Sequence, residues 1–341
     1  MHVTARELIL RLANPFTLAY GTSTARHNVL VRVEHEGAFG LGEAAIVPYY
    51  GHSTDRVITA LDGLGLEGDP LLLEDALDAL PPDLPAVARA ALDMALHDLW
   101  GKRLEQPLYR LWGLNPARAP RSSFTVAMAA DDGAYRAQLR AAAERYPLLK
   151  LKLGAGDWRA DLRLVQIARE SVPAALCVDA NGAWSAQEAA EAIPRLAELG
   201  VLFVEQPLAR NDLDGWRELR AALPDEHPPL IADESVQGVE SLLPLAGLVD
   251  GVNVKLAKCG GLRAARQMIA LARALGMRVL LGCMVESAVA VTAAAHLAPL
   301  ADYADLDGNA LVTNDPFRGV ELQAGYLRLP NAPGLGVCER E

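Results

Sequence analysis

Three carboxylates occur at nearly even spacing, each at the end of a short apolar run. Asp179 closes ALCVDA, Glu205 lies in VLFVEQ and Asp233 in PLIADE, 26 and 28 residues apart. Carboxylate oxygens are the ligands that Mg²⁺ prefers, and Mn²⁺ accepts the same donors. If the three run ends meet in space, three monodentate carboxylates would hold one Mg²⁺ or Mn²⁺ ion. Three of its six positions would stay open for water and substrate.

Lysines flank these carboxylates on both sides along the chain. Lys150 and Lys152 close LLKLKL, and Lys255 closes GVNVKL. A buried charge costs several kcal/mol unless it is paired or bound to a metal, so charges repeated at run ends indicate a site. One amine on either side of a metal is suited to two-sided proton transfer. We expect crowding of the lysines to lower the pKa of the base and the carboxylates to oppose this.

The runs that carry these charges are predicted strands of one barrel. From about residue 122 the chain alternates short apolar runs with tracts of helical spacing, a pattern that favours an α/β fold, a (β/α)8 TIM barrel. Parallel strands of such a barrel bring their carboxyl ends to one mouth, where the charges would converge. Ser185 and Glu188 predict a capping box at the start of one helix. The eight runs are SFTVAM, LLKLKL, ALCVDA, VLFVEQ, PLIADE, GVNVKL, RVLLGC and ADLDG.

The chain before and after the barrel is predicted to form a cap. Residues 1–120 contain two strand-like runs and a helical tract over residues 87–102, which together indicate an α+β domain. Between the two runs, residues 15–28 (PFTLAYGTSTARHN) are rich in Gly, Ser and Thr, and we expect a mobile loop that closes over the barrel mouth. The barrel is assigned to residues 121–310. Residues 311–341 are predicted to pack back on the cap.

Composition narrows the class of partner. The 341 residues are 51% hydrophobic and carry a formal net charge of -11, which argues against nucleic-acid and anionic-membrane binding. The four cysteines form no CxxC motif, and no apolar stretch approaches the roughly 18 residues of a membrane span. We therefore expect a cytoplasmic protein that acts on a small molecule and forms a homo-oligomer.

Seven motifs in order resemble the enolase superfamily, in its muconate-lactonizing-enzyme subgroup. They cover essentially the whole chain and are ALDMALHDLWGK, LLKLKLG, VDANGAW, VEQP, ADES, NVKLAKCGG and GCMVES. The resemblance implies an enolase-like modified TIM barrel with an N-terminal α+β capping domain. It also implies that Lys152 and Lys255 are the acid/base lysines, assisted by Lys150. The implied Mg²⁺ ligands are Asp179, Glu205 and Asp233, with Glu234 and Asn181 in support of them.

This subgroup includes cycloisomerases, o-succinylbenzoate synthases, N-acylamino acid racemases and dipeptide epimerases. The residues of the last predicted strand favour one of these activities. Asp305 and Asp307 of ADLDG resemble the DxD motif of dipeptide epimerases, in which an aspartate receives the substrate's N-terminal ammonium. A free ammonium needs an anionic partner, whereas an N-acyl group does not. The implied activity is 1,1-proton transfer at the α-carbon of the C-terminal residue of a dipeptide. L-Ala-D/L-Glu is the leading candidate substrate.

Three further residues are substrate-binding candidates, namely Met284 and Glu286 of GCMVES and Arg26 of the predicted loop. Arg26 could bind a glutamate side chain, although a surface arginine is the commoner explanation. Two alternatives stay open at this point. One is an N-acylamino acid racemase or o-succinylbenzoate synthase on the same scaffold, and the other is a non-catalytic binding protein with an enolase-like barrel.

Overall fold

The computed structural model describes residues 1–18, 21–129, 131–154 and 156–340, without the side chains of residues 15–18 and 21–22. Within these ranges, none of the helices combines the length and the apolar character needed to cross a bilayer. The chain forms a three-stranded antiparallel sheet with helices, an eight-stranded parallel sheet with helices, and a C-terminal segment of short strands.

The N-terminal sheet is built from one long hairpin and a third strand. The elements of this region, in chain order, are β1 (His2–Leu18), β2 (Gly21–His35), β3 (Ala38–Ala44), the 3₁₀ turn Pro48–Tyr50, α1 (Thr54–Leu61), α2 (Leu73–Asp78), α3 (Ala86–Arg103), α4 (Leu108–Leu111) and the 3₁₀ turn Pro116–Arg118. The strand order is β1-β2-β3. The predicted helix over residues 87–102 is confirmed as α3.

The prediction of a loop over residues 15–28 is wrong for most of its length. β1 continues to Leu18 and β2 begins at Gly21, with Thr17 paired to Thr22. Residues 19 and 20 of the predicted loop lie outside the described residues. The register shifts between Arg11 and Phe16, and the strands stay paired beyond the shift. Interstrand hydrogen bonds satisfy the backbone there, which composition alone does not reveal.

Eight parallel strands form the barrel, in the order of the chain. They are β4 (Phe124–Val126), β5 (Leu148–Lys152), β6 (Ala175–Asp179), β7 (Val201–Glu205), β8 (Leu230–Ala232), β9 (Gly251–Val254), β10 (Arg278–Gly282) and β11 (Tyr303–Asp305). The Ser123 N–H donates to Ala304 O at 2.9 Å, which joins the first strand to the last and closes the barrel. Seven of the eight runs marked in the sequence contain one of these strands, and the eighth, ADLDG, overlaps β11 at Ala304 and Asp305, so the predicted fold class is confirmed.

Helices follow most of the barrel strands. They are α5 (Asp132–Ala143), α6 (Trp158–Ser171), α7 (Ala186–Glu198), α8 (Leu213–Ala222), α9 (Leu242–Leu245), α10 (Leu256–Cys259), α11 (Leu262–Ala274) and α12 (Ala288–Ala295), with 3₁₀ turns at Val239–Ser241, Ala298–Leu300 and Gly308–Leu311. The capping box at the start of α7 is confirmed, because Ser185 Oγ accepts from the Glu188 N–H and Glu188 accepts from the Ser185 N–H.

The C-terminal segment contacts the N-terminal region at both ends. Its strands are β12 (Phe317–Arg318), β13 (Glu321–Gln323), β14 (Tyr326–Arg328) and β15 (Cys338–Glu339). The Arg11 N–H donates to Asn314 Oδ1 at 2.6 Å, and the Leu335 N–H donates to the buried Asp98 Oδ1 at 2.8 Å. The sequence-based division at residues 120 and 310 stays a prediction.

Candidate active site

The site is built by strand alternation inside the barrel. Side chains two residues apart on a strand share a face, so Cys177 and Asp179 of β6 both point inward, as do Phe203 and Glu205 of β7. A buried apolar layer lies below the charges, formed by Cys177, Phe203, Ile231 and Leu280. This layer closes the barrel interior from beneath. The polar side chains are thereby held at the C-terminal mouth.

The three carboxylates predicted as metal ligands converge. Asp179, Glu205 and Asp233 are at most 2% exposed, and one oxygen from each lies within 4.8 Å of the others. Lys150 Nζ lies 3.1 Å from Asp179 Oδ2 and 2.7 Å from Glu205 Oε2. Burial and the nearby Asp179 charge raise the pKa of Glu205 to about 8. The cluster therefore favours an additional positive charge.

The two predicted acid/base lysines approach this cluster from opposite sides. Lys152 ends β5 and Lys255 follows β9, four strands further around an eight-stranded barrel. Lys152 Nζ donates to Asp179 Oδ2 at 2.6 Å, and Lys255 Nζ donates to Asp233 Oδ2 at 2.8 Å. Each ammonium therefore lies at the edge of the carboxylate cluster, one on either side of the barrel axis.

The pKa of Lys255 differs from the sequence-based expectation. Burial acts to lower it, but the Asp233 carboxylate and, less strongly, Glu205 raise it, so that the pKa lies well above its ordinary value. The same balance raises the pKa of Lys150, whose partners are Asp305, Glu205 and Asp179. The carboxylates thus outweigh the crowding of the lysines, because they lie within hydrogen-bonding distance of the ammonium groups.

Asp305, which ends the last strand, and Asp307, two residues after it, have different surroundings. Asp305 Oδ2 accepts from Lys150 Nζ at 2.8 Å and its Oδ1 accepts from Ser123 Oγ at 2.6 Å. Asp307 Oδ2 accepts from the Thr125 N–H at 2.6 Å. Burial and the charge of Asp305 raise the pKa of Asp307 to about 7. A cationic ligand would therefore stabilise the ionised form of Asp307 more than that of Asp305.

Most of these groups line a cavity of about 630 Å³ between the barrel mouth and the N-terminal sheet, whereas Asp179 and Glu205 lie behind its wall. Of the predicted site residues, those in its wall are Arg26, Lys150, Lys152, Asn181, Asp233, Glu234, Lys255, Met284, Asp305 and Asp307. Residues 45–50 add an apolar and aromatic wall from the N-terminal region, and residues 52–54, which are His, Ser and Thr, add polar groups to it. Asn181 Nδ2 donates to Glu234 Oε1 at 3.1 Å, which ties two of these residues together.

Glu286 does not line this cavity. It is 3% exposed, and its Oε2 accepts from the Met284 N–H at 3.3 Å. Burial, with the nearby charge of Glu43, raises the pKa of Glu286 to about 8. Glu43 is fully buried and accepts from the Ser287 N–H and Oγ, so it joins β3 to the start of α12. The sequence analysis did not identify Glu43.

Two further polar residues at the cluster were also missed. Lys258 Nζ donates to Asp233 Oδ1 at 2.6 Å, and Asn253 Nδ2 donates to Glu205 Oε1 at 2.9 Å. In NVKLAKCGG, Asn253 lies two residues before Lys255 and Lys258 lies three residues after it. Strand alternation places Asn253 on the same face as Lys255, which was the available signal. No comparable signal pointed to Lys258, because it lies on the short helix α10.

Comparison with family profiles finds two matches. Residues 1–113 match the N-terminal domain of mandelate racemase/muconate lactonizing enzyme, and residues 134–340 match the enolase C-terminal domain-like family. An L-Ala-D/L-Glu epimerase of Bacteroides thetaiotaomicron is 40% identical over 97% of this chain and 86% of its own length. An L-Ala-D/L-amino acid epimerase of a Maribacter species is 34% identical over 99% of both chains.

Solved structures of dipeptide epimerases are similar to this chain over nearly its whole length. A dipeptide epimerase of Enterococcus faecalis V583, complexed with Mg and L-Leu-L-Tyr, superposes with a TM-score of 0.88 at 30% identity and covers 98% of each chain. A substrate complex of the L-Ala-D/L-Glu epimerase of Bacillus subtilis superposes with a TM-score of 0.89 at 29% identity, over 99% of this chain and 98% of that chain.

Proposed function

The chain belongs to the mandelate racemase/muconate lactonizing enzyme family of the enolase superfamily, and we propose that it is a dipeptide epimerase. The reaction is 1,1-proton transfer at the α-carbon of the dipeptide's C-terminal residue. The observation that carries this proposal is the convergence at the barrel mouth of a carboxylate cluster with a lysine on either side of it and an aspartate pair beside it. Relatives named as epimerases of Ala-containing dipeptides support it.

The carboxylate cluster fits a Mg²⁺ ion, with Mn²⁺ as an alternative. Its donors are oxygens only, they converge within 4.8 Å, and the buried Glu205 Oε2 has the Lys150 ammonium, at 2.7 Å, as its one polar partner among the described residues. Asp179, Glu205 and Asp233 would hold the ion. When bound, the ion supplies a Lewis acid that stabilises the negative charge developing on the substrate carboxylate during deprotonation.

Lys152 and Lys255 exchange the proton. Because they lie four strands apart in the barrel, a substrate α-carbon between them presents one face to each amine. One lysine, in its neutral form, removes the α-proton, and the other, as an ammonium, delivers a proton to the opposite face. The configuration is inverted by this placement. Lys150, pinned between Asp305 and the cluster, adds a fixed positive charge beside the substrate carboxylate.

The aspartate pair selects a substrate with a free amine. Asp307 is 3% exposed and takes its Oδ2 bond from a neutral backbone N–H, so its charge is not balanced by a directly bonded cation. An ammonium at that place would offset the burial of the carboxylate, whereas the amide of an N-acyl substrate would not. This difference favours a dipeptide over the N-acylamino acid racemase and o-succinylbenzoate synthase alternatives. The intact lysines and ligands disfavour a non-catalytic binding protein.

The side chain of the C-terminal residue faces the cap in this proposal. Residues 1–120 act as the cap, residues 121–310 as the catalytic barrel and residues 311–341 as a segment that packs back on the cap. Arg26 lies in the cavity wall and Met284 faces it from the barrel, which suits L-Ala-D/L-Glu as substrate. Glu286 acts only through the backbone of Met284. We also propose a cytoplasmic homo-oligomer without nucleic-acid or membrane partners, in line with the net charge of -11.

Deuterium incorporation tests the function directly. The protein is incubated with Mg²⁺ and a set of L,L-dipeptides in deuterated water, and the products are analysed by mass spectrometry and NMR. We expect one deuteron at the α-carbon of the C-terminal residue, together with the L,D product. The Lys255→Ala variant should lose epimerisation yet keep exchange for one of the two isomers, since Lys152 still reaches one face.

N-acylamino acids without a free amine are the control substrates. If they incorporate deuterium at least as fast as the dipeptides, the racemase alternative is correct. If the Lys255→Ala variant epimerises near the wild-type rate, the two-base mechanism is wrong.

A further inference from the structure

Each carboxylate of the metal cluster has one oxygen held by a donor of the chain itself. Asp179 Oδ1 accepts from the Asn181 N–H at 2.9 Å. Glu205 Oε1 accepts from Asn253 Nδ2 at 2.9 Å, and Asp233 Oδ1 accepts from Lys258 Nζ at 2.6 Å. The second oxygen of each carboxylate is the one that faces the catalytic ammonium groups. Each of the three carboxylates therefore has one held oxygen, which accepts a hydrogen bond from the donor named above, and one presented oxygen, which faces the ammonium groups.

The presented oxygens share one region of space. Asp179 Oδ2 and Glu205 Oε2 both contact Lys150 Nζ, and Asp233 Oδ2 contacts Lys255 Nζ. A cation that takes these oxygens would replace their contacts with the Lys150 and Lys255 ammonium groups. The donors to the held oxygens are by contrast a backbone N–H, an amide confined by close packing and an ammonium held by further hydrogen bonds.

Lys258 is fixed because all its donors are in use. Its ammonium has three N–H groups, and it donates to Asp233 Oδ1, to Asp233 O and to Asn253 O, at 2.6, 2.5 and 3.2 Å. It is 5% exposed, and it does not line the cavity. Lys258 therefore cannot leave Asp233 without abandoning buried hydrogen bonds, which makes it unsuited to proton transfer and suited to orientation.

Asn253 is fixed by space and by charge. It is fully buried, and a Cβ added at Gly282 of the neighbouring strand would lie 2.5 Å from Asn253 Oδ1, so only glycine there leaves room for the amide. Rotation of the amide by half a turn would place Oδ1 against the Glu205 carboxylate, which electrostatic repulsion disfavours. Among the described residues Asn253 Oδ1 has no hydrogen-bond partner, so the hydrogen bond from Nδ2 to Glu205 decides which way the amide is turned.

We propose that Lys258 and Asn253, together with the Asn181 N–H, are positioning groups that fix the three carboxylates as monodentate ligands. With each held oxygen withdrawn, an octahedral ion would take one oxygen from each carboxylate, and three of its six positions would stay open for water and substrate. This inference rests on the metal site of the proposed function and concerns the geometry of that site only.

Metal affinity without substrate tests the positioning role. Mn²⁺ is titrated into the full-length protein and free Mn²⁺ is followed by electron paramagnetic resonance. We expect the Lys258→Met and Asn253→Leu variants to bind Mn²⁺ roughly 10- to 100-fold more weakly than the wild type, as is typical for loss of a group that orients a ligand. Lys102→Met is the matched control, because it removes a lysine that pairs with the buried Asp98 in the cap.

The outcomes separate the inference from the proposed function. Wild-type affinity in either folded variant, checked by circular dichroism, overturns the inference, and so does an equal loss in Lys102→Met. No Mn²⁺ binding by the wild type overturns the metal site itself. Should both variants fail to fold, the wild type still decides, since electron-nuclear double resonance counts exchangeable waters on bound Mn²⁺. Three waters support three monodentate ligands, and two or fewer contradict them.

Discussion

Asp307 shows how one residue couples burial to substrate choice. In the free protein, burial and the neighbouring Asp305 charge raise its pKa to about 7, so below that pH the carboxyl carries a proton. A protonated carboxyl cannot form an ion pair with the ammonium of a dipeptide. An ammonium that binds the ionised form favours that form and lowers the pKa in the complex.

A pH series on binding therefore checks Asp307. We expect the inhibition constant of a dipeptide that binds without turnover to rise as the pH falls from 8 to 5. The constant of the matched N-propionyl compound, which lacks the amine, should stay level across that range. In Asp307→Asn the dipeptide should lose its pH dependence and bind at least tenfold more weakly. A dipeptide whose binding is equally pH-dependent in that variant would contradict the assignment.

At the scale of elements, strand β3 and helix α3 of the N-terminal region pack so closely that their backbones are in contact. Cβ atoms added at Gly40 and Gly42 of β3 would each lie 1.9 Å from a carbonyl oxygen of α3, those of Ala95 and Ala91. Only glycine permits this approach. α3 also contacts the first residue of α11, because Asp93 of α3 accepts a hydrogen bond from the Leu262 N–H at 2.5 Å. The packing of β3 on α3 therefore sets where the cap meets the barrel.

Gly42→Ala tests this contact. The added methyl group must push β3 from α3, and we expect the free energy of unfolding to fall by about 3 kcal/mol or more, at the upper end of overpacking costs. Urea denaturation measures the change. Gly65→Ala is the control, because nothing lies within 4 Å of its added Cβ and its φ is not in the left-handed region. It should be neutral or slightly stabilising. Equal effects of both substitutions would show that the close packing of β3 on α3 is not required.

At the scale of the whole molecule, the barrel concentrates negative charge in its interior. The buried carboxylates of the mouth come from strands β6 to β8 and β11, and the chain carries a net charge of -11. Burial acts to raise the pKa of Asp179, but Lys152 and Lys150 lower it to about 2, whereas that of Glu205 rises to about 8. The lysines thus neutralise the cluster only in part.

Divalent metal should consequently stabilise the folded protein. A ligand at 100 times its dissociation constant adds about 2.7 kcal/mol if it binds only the native state. We expect the unfolding temperature to rise by several degrees on addition of Mg²⁺ after treatment with EDTA, and to keep rising with the logarithm of its concentration. Calorimetry or fluorescence measures this. NaCl at matched ionic strength should have little effect, and an equal shift with NaCl would argue against a specific site.

The sequence by itself determined the fold class and indicated most of the charged side chains that meet at the barrel mouth, whose roles stay predictions. Charges at the ends of apolar runs, about one βα unit apart, are informative because parallel strands of a barrel must bring those ends together. Asp179, Glu205 and Asp233 converge for that reason, and Lys152 and Lys255 oppose each other because four strands separate them. The alternation of each strand is a local property, so it can be read along the chain.

Only the tertiary structure decided which atoms of those residues are available. Lys150 meets Asp305 across 155 residues, Glu43 crosses from β3 to Ser287, and Lys258 holds one oxygen of Asp233. Glu286 likewise turns out to lie behind the cavity wall. Such contacts depend on side-chain rotamers and on packing between distant segments, which periodicity does not encode. The strand pairing of residues 21–28 was missed for the same reason, since its hydrogen bonds join different parts of the chain.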